Sequence, residues 1–158
     1  MVHDSSIVES EIPNSTNVWS FSHIGKRVKI GEHCTIGEHV YIGDDVVIGD
    51  RCRIQNGALI YKGVKMGNDV LIAPGVVTTN DYFPTLPVGD WSHRFKETLI
   101  EDKVSVGANS TIVCGVILRE GTMIGAGSVV TKSTVLNGLY YGNPAKLKQI
   151  IHDRENFT

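Results

Sequence analysis

Residues 30–50 read IGEHCTIGEHVYIGDDVVIGD, and isoleucine returns in them every sixth position, at Ile30, Ile36, Ile42 and Ile48, each time followed by glycine. A strand alternates with period two and a helix with period 3.6, so a period of six belongs to neither. The register runs back through Ile24 and Val18 to Ile12, and forward through Ile54, Ile60 and Met66 to Ile72. After an interruption it resumes at Ile100, Val106, Ile112, Leu118, Ile124 and Val130. All seventeen positions carry Ile, Val, Leu or Met. Four residues after each comes a small side chain, as at Thr16, Ser22, Cys34, Ala58, Ser110 and Ser128.

A six-residue period predicts a coil with three flat faces, one hexapeptide per face and eighteen residues per turn. Large aliphatics fill the inside, small residues fit near the corners, and coils stack as parallel strands ~4.8 Å apart. Each coil then buries its inner face against its neighbours. Glycine directly after the aliphatic, as at Gly25, Gly31 and Gly37, is expected to serve corners with unusual backbone angles. Cys34 and Cys52 lie eighteen residues apart and are expected to stack as core thiols. Cys114 falls elsewhere in its hexapeptide and is expected to face outward, without a catalytic role.

The organisation expected is one all-β domain with coils about 12–77 and 100–135. A loop at 78–99, TTNDYFPTLPVGDWSHRFKETL, interrupts them, and a tail follows at 136–158. Within the tail, a turn at Asn143-Pro144 is expected to lead into a short helix that caps the open coil. A loop of this length inside a compact repeat is usually functional or disordered, and Tyr82, Phe83 and Trp91 argue for order. A net charge of −2 gives no reason to expect nucleic acid as a partner. No apolar run approaches the ~18 residues of a membrane span, and the start MVHDSSIVESE lacks the basic and apolar regions of a signal peptide. Three cysteines, an odd number, fit reduced thiols in a cytoplasmic protein.

The repeat, the loop at Thr79-Asn80-Asp81, and the stretches VGANSTIVCGV, IGAGSVVTK and GNPAK together resemble the left-handed β-helix acyltransferases of the hexapeptide family. VWSFSHI, IGDRCRIQN and TND resemble, within that family, the nucleotide-linked amino-sugar N-acetyltransferases, particularly those acting on a 3-amino group. The resemblance implies left-handed coiling and a homotrimer whose active sites lie between subunits. It implies acetyl-CoA along an outer groove, with backbone near Ala108 and Ala126 holding the pantetheine arm and Lys132 and Lys146 meeting phosphates. No metal is expected. His23, in FSHI, is a candidate contact for the nucleotide or sugar. Gln55 and Asn56 match the family's IQN and read equally as substrate ligands or as an asparagine ladder.

Relatives that acetylate hydroxyls carry a loop histidine, in a pattern like Thr-x-His-Pro, because an alcohol needs a general base. Here the place reads Thr79-Asn80-Asp81, and the loop's histidine, His93, stands twelve residues further on. A missing base fits an amine, which attacks a thioester without prior deprotonation. Asn80 would orient the amine or sugar, and Asp81 would accept the released proton or bind the ammonium form; ordinary turn chemistry is the competing explanation for both. Family members often carry an arginine after the loop proline, whereas Thr85 and Leu86 follow Phe83-Pro84 here. That departure favours a neutral 3-amino-3,6-dideoxyhexose over a uronic acid. The main alternative keeps the enzyme and changes the acceptor to a 4-amino sugar, a hydroxyl or a xenobiotic. A trimeric zinc carbonic anhydrase is disfavoured because no two histidines stand eighteen apart, an ice-binding protein because no threonine ladder appears, and a scaffold because it would need neither the loop nor GNPAK.

Overall fold

The structure is a computed structural model that describes residues 1–84 and 94–152. Thr85, Leu86, Trp91 and His93 lie outside the described residues, and so does the end of the tail from 153 onward. Within them the chain winds as a parallel β-helix, the left-handed form expected, with a seven-, a five- and an eight-stranded sheet as its three faces. Residues 25–78 step from face to face every six residues, and equivalent positions pair eighteen apart. Val18 lies beside Ile36, Ile36 beside Ile54, and Ile54 beside Ile72. The loop enters between β12 (Val77–Thr78) and β13 (Thr98–Ile100) and leaves this register intact. Ile72 pairs with Val106, 34 residues on; subtracting the coil's eighteen leaves sixteen added residues.

The interior is the stack of aliphatics that the period predicts. Ile24, Ile42, Ile60 and Ile112 rise on the seven-stranded face, and Ile36, Ile54 and Ile72 on the eight-stranded one; all are fully buried. Burial of each such side chain contributes roughly 1.5–3 kcal/mol before chain entropy is charged against it. Thr78 takes the next aliphatic slot, and its hydroxyl accepts the Tyr61 N–H at 2.9 Å. The small slots carry donors as well as methyl groups. Ser22 donates to the Gly37 carbonyl at 2.7 Å, and the Cys34 and Cys52 thiols donate to those of Gly49 and Gly67 at 3.1 Å. Cys34 and Cys52 are therefore stacked core thiols, as expected. Hydrogen bonding with Cys34, together with burial, pushes the Cys52 thiol up, so it stays protonated.

Three expectations are corrected. The glycines after the aliphatics do not have positive φ; that conformation falls two residues later, at Arg27, His33, His39, Asp45 and Arg51 among others. Those glycines are there for space. On the next coil an Asp or Asn turns its side chain back and accepts an N–H: Lys26 donates to Asp44, Glu32 to Asp50, Glu38 to Asn56 and Asn68 to Asp102. A Cβ on Gly31 would lie 2.2 Å from the Asp50 carboxylate and 2.7 Å from the Gly49 backbone.

The C-terminal segment is not a helix. β19 (Gly138–Tyr141) turns at Gly142-Asn143-Pro144 into β20 (Lys146–Ile150), which pairs antiparallel with it. An isolated helix of five residues cannot offset its nucleation cost, whereas the open edge of β19 offers ready partners. Cys114 is buried, not outward, because both ends of the loop cross its corner. Its N–H donates to Thr79 Oγ1 at 3.0 Å, and the Gly115 N–H donates to the Glu97 carbonyl at 3.1 Å.

Replacing Gly31 with alanine is expected to destabilise the protein by about 2 kcal/mol, the range of an overpacked site. Adding Asp50→Ala should restore only part, because the Gly49 backbone stays in the way. Urea unfolding of the three proteins measures both effects, and an unperturbed Gly31→Ala would refute the steric account.

Candidate active site

The coil period arranges the candidate residues in columns. Corner residues repeat every eighteen positions, so Asn56, Pro74, Ala108 and Ala126 stand one above another along one edge of the seven-stranded face. Lys62, Asn80, Cys114 and Lys132 stand along its other edge. The face between them presents His23 on β3 (His23–Ile24), Tyr41 on β6 (Tyr41–Ile42), Leu59 on β9 (Leu59–Ile60) and Val77 on β12, then Thr111 and Val129 above. Asn56, Ala108 and Ala126 thus share one rim of this face, and Asn80 and Lys132 share the opposite rim.

At the upper end the rim is backbone and small side chains. The Ala108 carbonyl accepts the Gly127 N–H at 2.8 Å, and a Cβ on Gly107 would lie 2.5 Å from the Ala126 nitrogen. Gly142 and Ala145 close the face over β18 (Val129–Val130): the Val129 N–H donates to the Gly142 carbonyl, and the Ala145 N–H to the Val129 carbonyl. Lys146 follows directly, and Lys132 stands on the far corner. Both are exposed, and neither forms an ion pair among the described residues.

The loop leaves the same face at Thr79. Its base is a small antiparallel bridge between Asp81 and Phe95, with the Lys96 N–H donating to the Asn80 carbonyl at 3.0 Å. The Asp81 carboxylate pairs with Arg94, both side chains largely buried, and also accepts the Phe83 N–H at 2.9 Å. The Asn80 side chain makes no hydrogen bond among the described residues. It lines a groove of about 230 Å³ with Tyr61, Val77, Thr78, Thr79, Asp81 and Pro84. The two adjacent loop residues therefore differ: the Asp81 carboxylate is committed to the loop's own fold, whereas the Asn80 side chain has no hydrogen-bond partner among the described residues.

The remaining candidates lie apart from this groove. His23 is on the same face three coils below Val77, ~14 Å along the axis at the usual strand spacing. Its Nε2 lies 3.5 Å from the Glu9 carboxylate. Gln55 and Asn56 line a separate groove of about 420 Å³ with Trp19, Arg53 and Glu38 on the eight-stranded face. The Asn56 side-chain Oδ1 accepts the Glu38 N–H at 3.1 Å, which makes Asn56 a member of the corner ladder. Spacing in the sequence did not single out Arg94, Tyr41, Tyr61 or Lys62. Arg94 stands thirteen positions after Asp81, and nothing in its local sequence signals the pairing. Tyr41 had a usable signal, since it stands eighteen residues after His23 in the outward slot. Lys62 lies 2.9 Å from Asp45, whose carboxylate is held well below its usual range by hydrogen bonds from Arg27 and then Lys62. No group of three His, Cys, Asp or Glu able to hold a metal occurs among the described residues, nor any helix long and apolar enough to cross a membrane.

Comparison with known proteins finds similar sequences and a similar fold. Residues 18–93 match the model of the GMPPB C-terminal domain, and residues 97–132 that of the bacterial transferase hexapeptide, six repeats. A dTDP-3-amino-3,6-dideoxy-alpha-D-galactopyranose 3-N-acetyltransferase from Aneurinibacillus thermoaerophilus is 50% identical over 54 residues, which is 34% of this chain and 28% of that protein. A galactoside O-acetyltransferase from Lactococcus lactis is 33% identical over 94 residues, 57% of this chain and 44% of that one. The aligned stretches thus span less than half the length of these relatives. The crystal structure of PerB from Caulobacter crescentus, in complex with CoA and GDP-perosamine, superposes with a TM-score of 0.68 at 22% identity. It covers 94% of this chain and 56% of PerB, a likeness of fold. The chain is thus similar to the bacterial hexapeptide transferases over residues 97–132 and shares the fold of PerB.

Proposed function

We propose that this protein transfers acetyl from acetyl-CoA to the amine of a dTDP- or UDP-linked amino sugar, at C3, by direct attack within a ternary complex. The observation that carries this reading is the contrast at the loop base, where Arg94 and the Phe83 N–H occupy the Asp81 carboxylate while the Asn80 side chain, beside the groove, has no hydrogen-bond partner among the described residues. An amine acceptor needs a group that orients it more than one that deprotonates it, and a carboxamide suits that task. The relative from Aneurinibacillus, named for 3-N-acetylation of a dTDP-linked sugar, supports the substrate class.

The donor would lie along the upper part of the seven-stranded face, its pantetheine arm beside Ala108 and Ala126. Small side chains there leave the backbone open to close approach. Lys132 and Lys146, without ion-pair partners among the described residues and both at the upper end of this stretch, would meet its phosphates. The acceptor amine, oriented by Asn80, would attack the thioester carbonyl, and a backbone N–H of the groove would stabilise the oxyanion, an effect of ~3 kcal/mol in well-studied enzymes. The tetrahedral intermediate would expel the CoA thiolate, and the ammonium proton would pass to solvent or to that thiolate. Much of the acceleration would come from holding two substrates together. In a homotrimer a neighbouring subunit would complete each site, with His23, Gln55 and Asn56 as acceptor contacts. The enzyme would work in the cytoplasm and supply a surface polysaccharide such as O-antigen. A second reading, transfer to a hydroxyl, is favoured by the longer alignment with the galactoside O-acetyltransferase.

Release of free CoA, followed with a thiol reagent, separates the readings. Turnover is expected with a dTDP- or UDP-linked 3-amino sugar and not with galactosides; the reverse would establish the hydroxyl reading. Asn80→Ala should lower kcat by roughly 10-fold or more, as for lost positioning, with little change in Tm. Arg94→Ala should speed amide exchange at Phe83 and Lys96 while leaving Thr111 protected. If Asp81 is instead a base, Asp81→Asn will remove the acidic limb of the pH–rate profile, whereas an anchoring Asp81 leaves the shape of that profile unchanged.

A further inference from the structure

The geometry points to a nucleobase platform on the lower half of the seven-stranded face, formed by Tyr41 and Tyr61 with His23 at its foot. This assignment rests on the acceptor proposed above being a nucleotide-linked sugar. The three rings form a continuous ladder: His23 meets Tyr41 edge-on with centroids 5.5 Å apart, and Tyr41 meets Tyr61 at 5.3 Å. The ladder leads to the reaction groove, because Tyr61 lines it together with Asn80. The outward column itself is aromatic at His23 and Tyr41 and continues as Leu59, Val77, Thr111 and Val129, so Tyr61 extends the ladder from the adjoining corner.

The two substrates must meet at Asn80 and cannot occupy the same stretch of the face. With the donor running upward past Ala108 and Ala126, the unreactive half of the acceptor has to run downward. The ladder lies on that path. Aromatic rings presented one per coil suit a flat, π-faced group, and base–aromatic stacking contributes ~1–3 kcal/mol per base. A cation stands beside the upper end of the platform. Lys62 occupies the corner position one coil below Asn80, where a diphosphate would pass. Its present partner, Asp45, is already held by Arg27 through two contacts of 2.6 and 3.0 Å. Lys62 can therefore turn to a phosphate without leaving Asp45 unpaired. The platform's chemistry is sequence-tolerant stacking plus one point charge, so it selects for a nucleoside diphosphate more than for one particular base.

Calorimetric titration with dTDP, UDP and GDP, with CoA as a separate control ligand, tests the assignment. Tyr41→Leu and Tyr61→Leu are each expected to weaken nucleoside diphosphate binding roughly 10-fold, the equivalent of one lost stack, and to raise KM for the amino sugar without changing CoA affinity. Tyr41→Phe and Tyr61→Phe, which keep the rings, should bind as wild type does. A Tyr41→Leu protein that binds nucleoside diphosphate as tightly as wild type overturns the platform and leaves the transfer reaction standing. A wild-type protein that binds none of the three overturns the platform and the nucleotide-linked acceptor together. Loss of the oligomer in Tyr41→Leu, seen by light scattering, would assign the ladder to a subunit interface and also overturn it.

Discussion

The contact between a corner glycine and the Asp or Asn of the next coil is the constraint on which the rest of this structure depends. Parallel strands only two residues long cannot hold register by themselves, and a slip of one residue would turn every isoleucine outward. The corner ladder prevents the slip. The Asp44, Asp50, Asn56 and Asp102 side chains each reach back to an N–H of the coil below, and the absence of a Cβ at Gly25, Gly31, Gly37 and Gly67 leaves the room they need. Coils therefore stack with no lateral freedom.

Strict stacking turns spacing into geometry. Residues eighteen apart form columns, and two columns edge the face that carries the proposed site. The loop adds sixteen residues within one coil, yet Val64–Met66 still pairs with Thr98–Ile100 as though nothing intervened. The insertion is accommodated because its two ends are tied locally, by the Asp81–Phe95 bridge and the ion pair of Asp81 with Arg94. An ion pair shielded from solvent at a loop base fixes orientation more than it adds stability. The neighbouring Asn80 side chain takes no part in that anchoring among the described residues.

The polar members of the small slots serve the same end. Ser22, Cys34 and Cys52 sit where valine or alanine sits in other coils, and each donates to a glycine carbonyl at a corner. A corner carbonyl turned inward would otherwise be a buried acceptor without a donor, which costs more than a hydrogen bond gains. The thiols are used here as small hydrophobic side chains with a weak donor.

The sequence by itself determined the architecture. A six-residue period admits one coil geometry, and the inward Ile24, Ile54 and Ile112, the stacked Cys34 and Cys52 and the place of the insertion were all legible from it. It also marked Asn80, Asp81, Ala108, Ala126, Lys132 and Lys146, through motifs that sit at fixed corners. Tertiary structure alone decided what lies across a coil or across the loop. It paired Arg94 with Asp81, covered Cys114 with the loop's own ends, separated His23 from Asn80 by three coils, and drew residues 146–150 into a strand on an open sheet edge. The physical reason is range. Periodicity reports contacts that repeat every eighteen residues, whereas a single insertion and a chain end meet partners that no period encodes.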